Sequence, residues 1–440
     1  MARVNICIDD DLKGSDRVRS FSFPDDFFWG TASSAYQTEG NNPYTDWYDL
    51  ENADQRKPAR KRKITEPCGA AADHWNRYED DYDLAAAIGV QVHRLSIDWA
   101  RVFPAPDRLD EDALEHYGKM LRALRERNIK VMLCLNHFTL PRWVDARGGY
   151  GNKDFLLPRY TEYVEKVVSS LGHLVDYWLP INEPNVVPLA GYLLGMFPPF
   201  KRGLFKFATA YRNIAAMHGQ SYRIIKESYP EAPVGVAFSF QHFQPYNKNS
   251  RFHKWSVSVA DKAANTCFFN AIRTGKMAIP FCGEEFIPYL KDSMDFAGIN
   301  YYSTLYMRGL LPVQNKKEDF VTDMGWIFYP EGLYDVLSYI GANTDVPVIV
   351  TENGIATTDE DLRIKYIEAH LEQVKRAMEA GVDIKGYMHW SLTDNFEWLH
   401  GYKMRFGLIN IDYPTQKRTI KKSGHWFAKI ISKHGESAEK

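Results

Sequence analysis

From Phe27 onward, short apolar runs alternate with longer stretches of helical periodicity. Eight runs read as strands: Phe28–Ala35, Val92–Trp99, Lys130–Phe138, Val175–Ile181, Val234–Phe240, Phe296–Tyr302, Val346–Thr351 and Ile384–Leu392. Runs of this kind, continuous in apolar character and bounded by turn residues, fit strands buried on both faces. Between them the pattern predicts amphipathic helices over Asp73–Gly89, Asp110–Asn128, Phe155–Gly172, Phe205–Ser228, Val257–Gly275, Gly332–Gly341 and Asp359–Gly381. In the first of these, Trp75, Tyr78, Tyr82 and Ala86 fall on one face, and Gly89 is the stop. Unbroken strand–helix alternation predicts an α/β fold with a parallel sheet and helices outside it. Eight repeats match a single (β/α)8 TIM barrel, with loop insertions at its C-terminal face, over residues 21–432. The alternative from pattern alone is a doubly wound open sheet in two domains, but no Pro/Gly/Ser linker divides the repeats. Residues 1–20 read as a polar extension and 433–440 as a polar tail.

Composition narrows the picture without changing it. At 440 residues and 45% apolar content the chain can bury a large core, and barrels with insertions reach this length as one unit. A net charge of −2 carries no global polyanion-binding signature, so no nucleic-acid partner is expected. The five cysteines have no metal-ligand spacing, and Cys134 lies inside an apolar run, as a reduced core thiol does. No apolar run reaches about 18 residues and the N-terminus has no apolar core segment, so a soluble, cytoplasmic protein without a firm membrane signal is expected. The basic run Arg56–Lys63 reads as a solvated loop, with an anionic-lipid or nucleic-acid patch as the sharper alternative. Oligomeric state is not legible.

The chemistry lies at the strand ends. Glu352 follows Val346–Thr351 directly, where parallel α/β sheets expose their reactive groups. The other ends supply Gln37, Arg94, Asn136-His137, Asn182-Glu183, Asn300-Tyr301-Tyr302, Trp390-Ser391 and Asp394–Trp398. Glu183 and Glu352 close strands four and seven, on opposing sides of an eight-stranded ring. Two carboxylates across a cavity suit glycoside hydrolysis, in which one protonates the departing oxygen and the other attacks the anomeric carbon or activates water. Amides and imidazoles suit sugar hydroxyls, because they offer donors and acceptors together, and indoles suit apolar sugar faces. No metal cluster or phosphate-cradling glycine loop competes, so neither metal nor cofactor is expected and a small-molecule glycoside is the expected partner.

These motifs resemble glycoside hydrolase family 1, the retaining β-glycosidases, across roughly Phe21 to Ile431. The carrying motifs are Phe27-Phe-Trp-Gly-Thr-Ala32, Gln37-x-Glu-Gly, Arg94–Arg101, Asn182-Glu-Pro, Ile299-Asn-Tyr-Tyr, Thr351-Glu-Asn-Gly and Trp390–Trp398. The short loops and the run from His137 make it more similar to compact archaeal-type members than to plant enzymes. The resemblance implies Glu352 as nucleophile and Glu183 as acid/base, with the charge of Glu352 raising the pKa of Glu183. It also implies Arg94 and Tyr302 as donors to Glu352. Gln37, His137, Asn182, Glu397 and Trp398 would contact sugar hydroxyls, joined by Asn300, with Trp390 as the floor and Trp326 on the aglycone side. A transglycosylase on the same residues differs only in the acceptor, and a non-catalytic sugar-binding barrel is expected to lack one carboxylate.

Two departures bear on substrate. Phe138 stands where the family often has Trp, so a hydroxyl donor is absent there or supplied from elsewhere. Gly191–Phe200 is apolar, and reads either as a packed loop core or as an apolar aglycone wall, in which Leu193, Leu194, Met196 and Phe197 with Phe138 favour alkyl or aryl aglycones. Glu397 occupies a position that is usually a small hydroxyl residue in the branch acting on 6-phosphorylated sugars, so an unphosphorylated glucoside, galactoside or fucoside is expected.

Overall fold

The computed structural model describes residue 21 and residues 23–438, with side chains to 434. The predicted extension 1–20 lies outside the described residues. Eight strands form one parallel sheet: β1 (Phe28–Ala32), β2 (Val92–Ser96), β3 (Lys130–Cys134), β4 (Tyr177–Leu179), β5 (Gly235–Ser239), β6 (Phe296–Asn300), β7 (Val348–Asn353) and β8 (Ile384–Trp390). Their spatial order is β4-β3-β2-β1-β8-β7-β6-β5. The two ends meet through single bridges, Trp178 with Val234 and Asn182 with Ala237, so the sheet is a nearly closed barrel rather than an open sheet.

Period-two alternation sorts the strand residues into two layers. Val92, Met132, Leu179, Ala237, Phe296 and Met388 pack together inside the ring. Their neighbours Val131, Trp178, Val236, Ala297 and Tyr387 join the larger core outside the ring. That outer layer is covered by α1 (His74–Ile88), α2 (Glu111–Glu126), α3 (Lys153–Leu171), α4 (Leu204–Ser228), α5 (Cys267–Thr274), α6 (Glu331–Asn343), α7 (Glu360–Glu379) and α8 (Lys422–Ala438). Local signals set several helix ends. The Asp110 carboxylate accepts from Ala113 N and that of Asp359 from Asp361 N and Leu362 N, while Gly89 ends α1 in the left-handed region.

The structure departs from the pattern in three places. The buried face of α1 runs through His74, Asp81, Tyr82, Ala85 and Ile88, while Ala86 is exposed and Trp75 and Tyr78 are half-buried. The cause is a buried polar network that a hydrophobicity pattern does not see. His74 Nδ1 lies 2.7 Å from Asp81, which also accepts from Arg418 Nε at 2.9 Å. The predicted helix Val257–Gly275 is instead Arg251–Asp261, a π-helical stretch Lys262–Thr266, and α5. Finally, α8 continues past residue 432 to Ala438. Among the described residues no helix is long and apolar enough to cross a membrane.

Candidate active site

The interior faces of several strands lead upward to the residues of the site. On β2, Arg94 stands two residues after the interior Val92 and is fully buried. A buried guanidinium requires compensating partners. Arg94 Nη1 donates to Glu352 Oε1, and its Nη2 donates to Asn182 Oδ1 at 2.5 Å.

Glu352 reaches that position through a break in β7. Ile349 packs inside the ring and Val350 packs outside it, so strict alternation would turn residue 352 outward toward the helices. The pairing register shifts after Val350 on both neighbouring strands, and Glu352 then pairs with Asn300. The shift resets the parity, as strand irregularities beside active sites do. Glu352 meets Arg94 and accepts from Tyr302 OH at 2.5 Å, and Asn353 turns outward to Tyr366 and Tyr387. Glu352 therefore lies within the paired strand, where the sequence reading ended the strand at Thr351. Gly354 follows because β8 crosses close by. A Cβ there would stand 1.9 Å from the Trp390 carbonyl oxygen.

Beyond β4, Asn182 pairs across to Ala237, and Glu183 N donates to Ala237 O at 2.8 Å. Glu183 has φ of +44°, a strained left-handed conformation shared with Phe138 (+72°) and Trp398 (+47°), both of which also line the site. Asn300, at the end of β6, joins the two acids. Its Nδ2 donates to Glu183 Oε1 at 3.0 Å and Asn182 Oδ1 at 3.2 Å, and its Oδ1 accepts from Thr351 Oγ1 at 2.7 Å. One hydrogen-bonded path thus runs Glu352–Arg94–Asn182–Asn300–Glu183.

These groups open into a cavity of about 1180 Å³. Eleven of the twelve residues singled out in the sequence line it, and Arg94 lies beneath, acting through Glu352 and Asn182. His137 stands parallel to two indoles, 5.9 Å from Trp390 and 6.2 Å from Trp398 between ring centroids. Trp398 is backed in turn by Trp47 at 4.6 Å. The amide of Asn182 is oriented by its two donors, so its Nδ2 faces His137 Nε2 at 3.0 Å. The ring proton of His137 then sits on Nδ1, which is buried without a partner among the described residues and is available to a hydroxyl oxygen. Gln37 is fixed at both ends. Its Oε1 accepts from Ser34 Oγ at 2.7 Å, and its Nε2 lies 3.2 Å from Glu397 Oε2. Trp326 is half-buried against Tyr302 at 5.4 Å, with its ring on the cavity wall.

Burial and crowding of charge determine proton affinities here. Glu183 is pushed up to about 8, first by burial and second by the charge of Glu352, while Asn300 and Arg94 pull it back. This reorders the sequence reading, in which Glu352 alone raised it. Glu397 is also pushed up to about 8, by burial and then by Glu352 and Glu183. Near neutral pH it is therefore largely protonated, and can donate as well as accept, where the sequence reading treated it as a fixed anion. Burial, then the neighbouring Arg94, holds His137 well below the usual imidazole range, so it is neutral. Arg94 is held charged by Glu352 against the opposing effect of burial, and burial and Glu352 push the Tyr302 phenol well up, keeping it a donor.

The far wall was largely invisible in sequence. Phe406 and Met324 join Trp326 there, and Leu311–Val313 forms the edge of a small three-stranded sheet with Thr304–Arg308 and His242–Pro245. These segments lie outside the eight barrel strands, so reading the strand ends does not reach them. The segment around Gly191–Phe200 is both packed core and cavity wall. Phe197 touches Trp47, Phe138 and Trp398, while Leu193, Leu194 and Met196 face the cavity.

A nearly closed eight-stranded barrel bearing two carboxyls above its C-terminal rim, among amides and indoles, defines an O-glycoside hydrolase. The chain belongs to glycosyl hydrolase family 1, whose family model matches residues 19–436. It is 31% identical to a 1,4-β-D-glucan glucohydrolase of Thermotoga neapolitana, over 94% of this chain and 99% of that protein. It is equally identical to a β-galactosidase of Pyrococcus woesei, over 94% and 98%. Among solved structures, a β-glycosidase from Pyrococcus horikoshii superposes with a TM-score of 0.86 at 32% identity, covering 94% of this chain and 96% of that one. A β-glucosidase from Thermotoga maritima in complex with glucoimidazole superposes with a TM-score of 0.84 at 29% identity, over 94% and 99%.

Proposed function

We propose that the protein is a retaining β-glycosidase that removes an unphosphorylated, non-reducing-end glucose, galactose or fucose from alkyl or aryl glycosides or oligosaccharides. The observation that carries this reading is the buried path from Glu352 through Arg94, Asn182 and Asn300 to Glu183, which treats the two acids differently. Glu352 accepts from a guanidinium and a phenol, the partners of an ionised carboxylate, whereas Glu183 is buried and protonated. Relatives named as a β-glucosidase and a β-galactosidase support glucose and galactose within this range.

The steps follow from these states. Glu352 attacks the anomeric carbon and the bond to the glycosidic oxygen breaks, that oxygen taking the proton of Glu183. A glycosyl ester on Glu352 and the free aglycone alcohol result. Glu183, now an anion, removes a proton from water as the water attacks the anomeric carbon and expels Glu352, restoring both groups. A sugar or alcohol hydroxyl in place of water gives transglycosylation on the same residues, and product analysis with an added acceptor measures the partition.

Glu183 must be protonated for the first step, so the sign of the pH dependence is set. On the alkaline side, kcat/KM of the free enzyme is expected to fall as pH rises through about 8, as Glu183 ionises. A profile without an alkaline limb in this range argues against Glu183 as the acid.

The preference for an unphosphorylated sugar rests on the missing cation rather than on a fixed charge at Glu397. Among the described residues Arg202 is the one Lys or Arg lining the cavity, and it packs against Gly195, in the apolar segment. A 6-phosphate beside Glu397, Glu183 and Glu352 would have no counter-charge. Matched aryl glucoside and aryl 6-phosphoglucoside are expected to differ by about 100-fold or more in kcat/KM, in favour of the former. Preference for the phosphorylated substrate would overturn this part of the reading.

A further inference from the structure

The rim of the cavity carries two features that glycoside cleavage does not use. The first is a set of apolar side chains turned to solvent. Leu310 (61% exposed) and Leu311 (66%) form the tip of the hairpin between Thr304–Arg308 and Leu311–Val313, and Leu311 also lines the cavity. Beside this tip, Phe252 approaches Gly309 and stacks on Trp255 at 5.7 Å, and these rings are 53% and 47% exposed. Both belong to the helix Arg251–Asp261, in which only Ser256 is buried. Phe252 and Trp255 form an exposed apolar pair at helical spacing, with the half-buried Val259 one turn further on, flanked by exposed Lys248, Arg251 and Lys254. On another part of the rim, Met196 is a cavity-lining side chain that is 61% exposed.

The second feature is the basic run. Every residue of Arg56–Lys63 is exposed, and among the described residues only Lys57 of its six cations is ion-paired, to Asp54. The structure puts this run at the mouth. The Lys63 ammonium lies 3.8 Å over the Phe200 ring, and Thr65 N donates at 3.0 Å to the carbonyl of Leu399, a cavity-lining residue. The loop 314–325 is close to balanced, Lys316 and Lys317 standing against Glu318, Asp319 and Asp323.

We propose that this face docks on an anionic lipid surface, with Phe252, Trp255, Leu310 and Leu311 entering the interface and Arg56–Lys63 meeting the headgroups. Either signal alone binds a bilayer weakly, whereas exposed apolar side chains and a cationic cluster act together. Continuity favours this occupant, because the apolar rim runs into the cavity wall through Leu311 and Met196. An amphiphilic β-glycoside anchored in the bilayer therefore has an apolar route for its tail and a polar end for its sugar. That substrate clause rests on the glycosidase reading, whereas docking does not.

The test is co-sedimentation of the full chain, without substrate, with vesicles of phosphatidylcholine alone or with about 30% phosphatidylserine. Binding is expected to the anionic vesicles only, and to be released by salt. Arg60→Glu/Lys61→Glu/Arg62→Glu is expected to weaken it about 100-fold, and Phe252→Ser/Trp255→Ser about tenfold. Both are expected to keep wild-type turnover of a soluble aryl β-glucoside, which shows them folded. Phe281→Ser/Phe286→Ser, exposed aromatics that do not line the cavity, is expected to bind as wild type. Absence of binding to anionic vesicles, or equal losses in all three variants, overturns the proposal. So does self-association, or capture by RNA without vesicle binding, that the same substitutions abolish. A chain that binds vesicles but cleaves no glycoside fails the glycosidase reading alone.

Discussion

Glu352→Ala is expected to lose turnover of an aryl β-glucoside by about 10⁴-fold or more, because no other group stands ready to form the ester. The substitution leaves a small space lined by Arg94 and Tyr302, whose donors then lack their acceptor. Azide is small and anionic, so the guanidinium draws it to that space, where it can attack the anomeric carbon from the side the carboxylate occupied. Only one displacement then takes place, and the product is the α-glycosyl azide, inverted at the anomeric carbon. Recovery of rate with added azide, and the anomeric coupling of the product by NMR, check the two halves separately. A β-configured azide, or turnover undiminished in the variant, would remove Glu352 from this role.

Glu183→Gln separates the two steps. With a poor leaving group, such as an alkyl alcohol, the departing oxygen needs its proton, and a loss of about 10²–10⁴-fold in kcat/KM is expected. With a good phenolic leaving group the first step proceeds nearly unassisted. The second step then lacks its base, so a burst of phenol should precede slow turnover as the glycosyl ester on Glu352 accumulates. The contribution of Glu183 to the alkaline limb near 8 should vanish, leaving only that of Glu397, which is pushed up into the same range. Unchanged hydrolysis of the poor leaving group would show that the acid lies elsewhere. The glutamine can still accept from Asn300 Nδ2, so the hydrogen-bonded path should survive and the effect should report the lost proton rather than a collapsed site.

Local physical chemistry made much of this legible. Strand–helix alternation carried the barrel because each element announces its own period, and the polar residues after the strands stood out against apolar runs. The α1 face was misread because the His74–Asp81–Arg418 network buries charges, which no hydrophobic pattern registers. The mouth was not legible, for the opposite reason. Leu310, Leu311, Phe252 and Trp255 are apolar in sequence yet exposed in the fold, so their place at the rim depends on what fails to cover them.

The same division holds for the acid that the chain is built around. By itself the sequence determined that Glu352 stands at the carboxyl end of a buried strand, that Glu183 follows another across the ring, and that Arg94 needs a buried partner. Only the tertiary structure decided which way Glu352 faces. Strict alternation after Ile349 and Val350 sends it outward, and the register shift between β7 and its two neighbours turns it in. That shift arises from pairing with strands distant in sequence, as does the burial that keeps the proton on Glu183.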